Sequence, residues 1–362
     1  MTTRKSYFDL MRIVAIFFVI FNHTGNRGFA LYTVNEPGSA KYWLYLCLSI
    51  FCTYAVPLFF MISGALVLPK ATLEDVWKRR IPKMALILVL FSLFYHLLGM
   101  AQGEIGLYTT FPTGELPSVA TFLTVLYAGD WNFSFWFLYA YLAFLMFAPL
   151  LRTLAEHMTN RQFYYLFILD LVFKAGVPVL NWTVFRGAFD LNANLLVTWA
   201  VADIVIYPLA GYFLEHRFDM RMLREKKWLL PALWGTVLLC LALAAAMTWH
   251  KSILTGEYNE GAAQTFHRVF HLIIAGTVYL TTKQINPKTN AVLTSAGVCT
   301  FGIYLLHVAV LKSPQADALY GALTGMGWWH IAATLVVVLV TLAVCWAATA
   351  LWKGAVKLVK RQ

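Results

Sequence analysis

The stretch Asp9-Leu-Met-Arg12-Ile-Val-Ala-Ile-Phe-Phe-Val-Ile-Phe-Asn22-His23 decides the fold. An arginine stands at the start of an apolar run and a histidine at its far end. They are eleven positions apart, which at about 100° per residue is roughly three helical turns. Both side chains therefore share one face, with their Cα atoms roughly 16 Å apart. The run is continuous rather than alternating, which selects a helix over a strand. Placed across a bilayer, such a helix carries a permanent cation near one surface and a titratable base near the other.

The remainder of the chain repeats this apolar character. Of 362 residues, 60% are apolar and only 12% charged, with a mean hydropathy of +0.67. A soluble domain carries about 25% charged residues, so half that value with recurring runs near span length means an integral membrane protein. Inside lipid the backbone must satisfy its own hydrogen bonds, and continuous runs do so as helices. The predicted spans are 9–29, 43–68, 83–101, 134–151, 163–180, 195–215, 229–248, 265–282, 291–311 and 328–352. The expected fold is thus all-α, a polytopic membrane helix bundle of about ten transmembrane helices. It is expected as a single domain over 1–362 with no soluble extracytoplasmic domain. The longest connection, 102–133, holds Pro112, Gly114 and Pro117, then an apolar piece, Val119–Tyr127, too short to span and expected at the interface. Arg4 and Lys5 before the first run superficially suggest a signal peptide. Arg12 within that run, and the lack of a small-x-small cleavage site, mark an uncleaved first span instead.

Basic residues give the orientation. With the N-terminus inside, 20 of the 28 Lys and Arg fall in inside segments, five fall outside, and Arg12, Lys174 and Arg268 lie within spans. The positive-inside rule then places both termini in the cytoplasm. The net charge of +11 reflects topology and contact with the lipid surface, not nucleic acid. The five cysteines all fall in apolar runs, as small buried hydrophobes with no metal or disulfide spacing.

An ionisable group inside a span costs roughly 2.5–3.5 kcal/mol and faces the protein interior. Arg12 either snorkels or pairs with Asp9, or serves as an anion-holding cation. His23, beside Asn22 and Thr24, is either a hydrogen-bonded structural residue or a base. Val56-Pro57-Leu-Phe-Phe-Met-Ile-Ser63-Gly64 puts a proline, a hydroxyl and a glycine in the second span, for close packing or for an opened backbone lining a cavity. Trp131-Asn-Phe-Ser-Phe-Trp136-Phe-Leu-Tyr139 forms an aromatic belt. Tyr304 and His307, three apart, share a face of the ninth span. Asp170 and Lys174, four apart, form an internal ion pair, and Asp203 has no partner evident from sequence. His267 and His271 have the i, i+4 spacing of a metal pair, but no neighbouring carboxylate completes a site, so no metal is expected.

Together these stretches resemble the acyltransferase-3 family of integral membrane acyltransferases. The resemblance rests on Asp9-Leu-Met-Arg12 with Arg12-x10-His23, Pro57-Leu-Phe-Phe-Met-Ile-Ser63-Gly64, Phe135-Trp136-Phe-Leu-Tyr139 running on to Pro149, and Gly302-Ile-Tyr304-Leu-Leu-His307. It implies an acyl group, usually acetyl, moved from cytoplasmic acyl-CoA to a hydroxyl of an extracytoplasmic glycan or glycolipid, with Arg12 and His23 essential. No bound cofactor is implied; acetyl-CoA is the donor substrate, and the protein lies in the cell membrane. On this reading Arg12, with Arg79 and Arg80 in the basic loops, holds the CoA phosphates. His23 is the general base or the acyl carrier, and Ser63, Trp136, Tyr139, Tyr304 and His307 support the acceptor or the transition state. The rival is a transporter or glycolipid flippase, which also places polar residues near broken helices. A sensor or scaffold has no need of an arginine and a histidine on one face.

Overall fold

The computed structural model describes residues 4–104, 106–111, 118–195 and 202–359, and among them every regular element is a helix. Among the described residues seven helical runs are long and apolar enough to cross a membrane: Ala40–Lys70, Leu73–Ala101, Trp136–His157, Asn160–Thr183, Leu229–Thr255, Ala291–Leu311 and His330–Lys357. The other three predicted spans form shorter helices. Helix α1 (Ser6–Asn22) has 17 residues, Asp203–His216 has 14 and His271–Ile285 has 15. The predicted span 265–282 is two helices, because Glu260–His267 ends before His271–Ile285 begins. Residues 196–201 of the sixth predicted span, and Pro112, Gly114 and Pro117, lie outside the described residues.

Prolines account for the irregular helices. A proline has no N–H to give the carbonyl four residues back, and its ring displaces that carbonyl. Pro57 stands four residues after Thr53, where α2 (Ala40–Cys52) stops before α3 (Ala55–Val67) begins. Pro82 and Pro178 each follow a π-helical turn, Val76–Arg80 and Val172–Gly176, which absorbs the same mismatch without ending the helix.

The chain divides into two compact units, one of Met1–Leu66 with Met158–Gln362, the other Val67–His157. In the larger unit α1 packs along α12 (Ala291–Leu311), and α12 packs along α14 (His330–Val359). For use below, α4 is Ile81–Ala101, α5 Val119–Ala128, α6 Trp136–His157, α7 Asn160–Thr183, α8 Asp203–His216, α9 Leu229–Thr255, α10 Glu260–His267, α11 His271–Ile285 and α13 Pro314–Gly325. Glycines set how closely the axes approach. A Cβ on Gly64 of α3 would lie 1.9 Å from the Pro208 carbonyl oxygen of α8, and one on Gly211 of α8 would lie 1.9 Å from that of Met61. Of the two sequence readings of Pro57–Gly64, this is close packing through small residues.

In the smaller unit, α4 turns Leu86, Leu90, Leu93 and Leu97 outward while burying Ser92 and His96. That pattern suits a helix whose outer solvent is lipid. His96 packs on Trp131 with ring centroids 4.4 Å apart, and Trp131 stacks on Phe122 of α5. The predicted interfacial piece is this α5, held by the Tyr139 hydroxyl, which donates to the Leu126 carbonyl at 2.7 Å.

Candidate active site

Helix α1 carries polar groups at both ends and apolar side chains between them. At its start the Asp9 carboxylate, 1% exposed, accepts from two arginines. Arg4 is bidentate, with Nε and Nη2 each at 2.8 Å, and Arg12 Nη1 lies at 3.2 Å. The local pairing of Arg12 with Asp9 is therefore present. It leaves the trio one positive charge in excess, because two guanidiniums share one carboxylate. Outside the span, Arg4 is held more firmly protonated than usual by its hydrogen bonds to Asp9.

At the other end His23 caps the helix: its backbone N–H donates to the Ile20 carbonyl at 3.1 Å, and that of Thr24 donates to the Phe21 carbonyl at 3.0 Å. Its Nδ1 lies 2.7 Å from Nε2 of His307, and the two rings stack at 4.9 Å and 29°. His307, fully buried, places its own Nδ1 2.6 Å from the Tyr304 carbonyl oxygen, one turn back on α12. Asp9 meets α12 at Gly297 and His23 meets it at His307, so α1 and α12 run parallel. One helix pair thus presents the guanidinium at one end and the imidazoles at the other.

Next to His23, Asn22 Nδ2 donates to the Cys52 carbonyl at 3.1 Å, using the chain break that Pro57 creates. Thr53 in that break lies 2.7 Å from His271 Nε2 and 3.1 Å from the His267 carbonyl. The His271 ring and the His267 carbonyl thus engage the break, while the His267 ring packs edge-on against Phe29 and Tyr32. Among the described residues no group of three His, Cys, Asp or Glu side chains stands where it would hold a metal ion.

The other candidates are more dispersed. Ser63 returns its hydroxyl to the Phe59 carbonyl at 2.9 Å. Tyr304 packs its ring 5.8 Å from that of His307. Arg79, Arg80, Trp136 and Tyr139 belong to the smaller unit, where Arg80 pairs with Asp75 at 2.5 Å, and Arg79 and Trp136 are exposed.

Two clusters escape a linear reading. Asp203 is partnered: Lys174, in the π-helical turn of α7, lies 2.7 Å from it and 3.1 Å from Asp170, with the Tyr207 hydroxyl at 3.5 Å. The spacing Asp170-x3-Lys174 gave half of this cluster; Asp203 joins it across 29 positions. Glu215, at the end of α8, accepts from Lys5, Tyr7, Tyr279 and Lys283 at 2.5, 2.6, 3.0 and 3.1 Å. A buried carboxylate needs such partners, and a glutamate ending an apolar run is the only sequence sign of it.

Among the described residues, apolar helices long enough to cross a bilayer, carrying a contacting histidine pair and an arginine on one helix pair, define a class: a polytopic membrane protein. The acyltransferase domain family, acyltransferase 3, matches residues 5–350, across both compact units, and the chain belongs to that family. It is a membrane acyltransferase. No curated protein and no solved structure matches it.

Proposed function

We propose that this membrane acyltransferase takes an acetyl group from cytoplasmic acetyl-CoA and places it on a hydroxyl of an extracytoplasmic glycan or glycolipid. The observation that supports this reading is the 2.7 Å contact between His23 and His307 at the opposite end of α1 from Arg12. The excess positive charge of the Arg4–Asp9–Arg12 trio suits a phosphate of the donor, which a guanidinium holds by charge-assisted hydrogen bonds. In the smaller unit the exposed Arg79 offers positive charge that attracts a polyanion. The pantetheine arm then extends along the bundle toward His23.

A sugar hydroxyl is a weak nucleophile. His23 removes its proton as the oxygen attacks the thioester carbonyl, which contributes about 10²–10⁴-fold. The tetrahedral oxyanion collapses, the carbon–sulfur bond breaks, and the CoA sulfur leaves with the proton from His23. Acyl ester and free CoA thiol are the products. Tyr304, with its ring beside His307, serves the acceptor or the transition state. A flippase of similar architecture has no use for a base braced by a second imidazole.

The test uses the full chain in detergent with radiolabelled acetyl-CoA and a panel of p-nitrophenyl hexosides, following free thiol and labelled ester. Wild type releases CoA, and His23→Ala does not, at unchanged thermal stability. Label retained with donor alone by wild type, and lost in His23→Ala, identifies His23 as an acyl carrier instead of a base. Equal thiol release by wild type and His23→Ala sinks the assignment.

A further inference from the structure

We propose that His307 is a positioning residue that fixes which nitrogen of His23 does the chemistry; this rests on the reading of His23 as the base. The Tyr304 carbonyl 2.6 Å from His307 Nδ1 has only lone pairs to offer, so His307 Nδ1 carries the hydrogen. In a neutral imidazole the other nitrogen is then an acceptor. His307 Nε2 accepts across 2.7 Å, which requires the hydrogen of that bond to sit on His23 Nδ1. His23 Nε2 is left with the lone pair. A backbone carbonyl of α12 thereby sets, through two rings, the reactive atom at the end of α1.

The same chain of bonds acts more strongly in the transition state than before it. When His23 Nε2 takes the hydroxyl proton the ring becomes a cation, and its Nδ1–H bond to His307 turns charge-assisted, roughly twice as strong as a neutral one. Interactions that strengthen only then are the ones that raise kcat. The hydrogen on His23 Nδ1 stays in place throughout; His307 neither gives nor takes a proton. A carboxylate in the position of His307 would bring a buried charge requiring partners of its own. An imidazole supplies the acceptor with none, which suits a fully buried position on a membrane helix.

The test measures kcat and KM for acetyl-CoA in purified full-length variants, with the same p-nitrophenyl hexosides. His307→Leu keeps the volume and removes the acceptor; kcat falls about a hundredfold with KM for acetyl-CoA unchanged. His307→Gln places an amide oxygen where Nε2 stood and keeps kcat within about tenfold of wild type, since general-base catalysis survives with its orienting bond restored. If the Leu variant does not fold, His307→Asn replaces it, its amide being one methylene too short to reach His23. Equal losses in the Gln and Leu (or Asn) variants, or wild-type kcat in the Leu (or Asn) variant, overturn the proposal. Activity retained by His23→Ala would instead remove the base reading beneath it, so the two failures are distinct.

Discussion

Gly297 and Asp9 occupy one contact: a Cβ added to Gly297 would lie 2.5 Å from both the Asp9 Cβ and its Oδ1. No side chain other than hydrogen fits between α12 and the carboxylate that holds Arg4 and Arg12. The contact matters beyond its own end of the helix pair. Because α1 and α12 run parallel, the seating of Asp9 on Gly297 also sets the register in which His23 meets His307.

Gly297→Ala should therefore act at both ends. Overpacking of a tight contact costs about 1–3 kcal/mol, and a displaced α1 separates the two imidazoles. The expected outcome is a lower thermal midpoint in detergent, together with a raised KM for acetyl-CoA and a reduced kcat. A variant with wild-type stability and kinetics would show that the close approach is not needed.

Two other glycines give a matched contrast. Gly64 faces a backbone carbonyl at 1.9 Å, which has no rotamer to change, so Gly64→Ala must push α3 away from α8 and destabilise by about 1–3 kcal/mol or more. Gly235 in α9 has nothing within 4 Å of an added Cβ. Gly235→Ala should stabilise by about 0.5–1 kcal/mol through the lower backbone entropy of the unfolded chain. Unfolding midpoints of the two variants, measured side by side, check the sign of each.

Lys174 is the hinge of a three-charge cluster. Asp170 is buried at 1% exposure while Asp203 is 46% exposed. Removing the ammonium strands Asp170 without a counter-charge, at about 3–5 kcal/mol. Lys174→Ala is thus expected to be far more destabilising than Asp203→Asn, whose carboxylate is partly solvated. Pairing Lys174→Met with Asp170→Leu should recover much of the loss, since an apolar pair carries no desolvation penalty. A double variant no more stable than Lys174→Ala alone would contradict this.

Asp130, in the connection before α6, has its carboxyl pushed up to about 6 by burial, and one of its oxygens is buried without a hydrogen-bond partner. A carboxyl with a raised folded-state pKa is stabilising in its protonated form. The folded chain therefore binds more protons than the unfolded chain between pH 4 and 6, and stability falls as pH rises through that window, by on the order of 1–3 kcal/mol. Asp130→Asn should flatten the decline and raise the thermal midpoint at pH 7. An unchanged slope of midpoint against pH would rule Asp130 out as its source.

Much of the fold is legible in the sequence because lipid leaves few choices. Apolar runs in such an environment must satisfy their own backbone, so the predicted span 291–311 coincides with the helix Ala291–Leu311. The misplaced boundaries have a local cause. Composition marks where a run is apolar, not where Pro57 ends a helix at Thr53, nor where His267 and His271 fall on two helices rather than one. Of the candidate site, Arg12 and His23 on one helix, and Tyr304 and His307 on another, follow from spacing alone, because a 3.6-residue period fixes which positions share a face.

What the sequence by itself determined is therefore the all-helical membrane class, the family, and the face each polar residue occupies within its own helix. The tertiary structure alone decided which faces meet. His307 reaches His23 across 284 positions, Lys174 reaches Asp203 across 29, and Lys5 reaches Glu215 across 210. No periodicity encodes such partnerships. They arise when whole helices settle against one another at the depth and rotation their smallest residues permit, and that is a property of the packed bundle rather than of any single run.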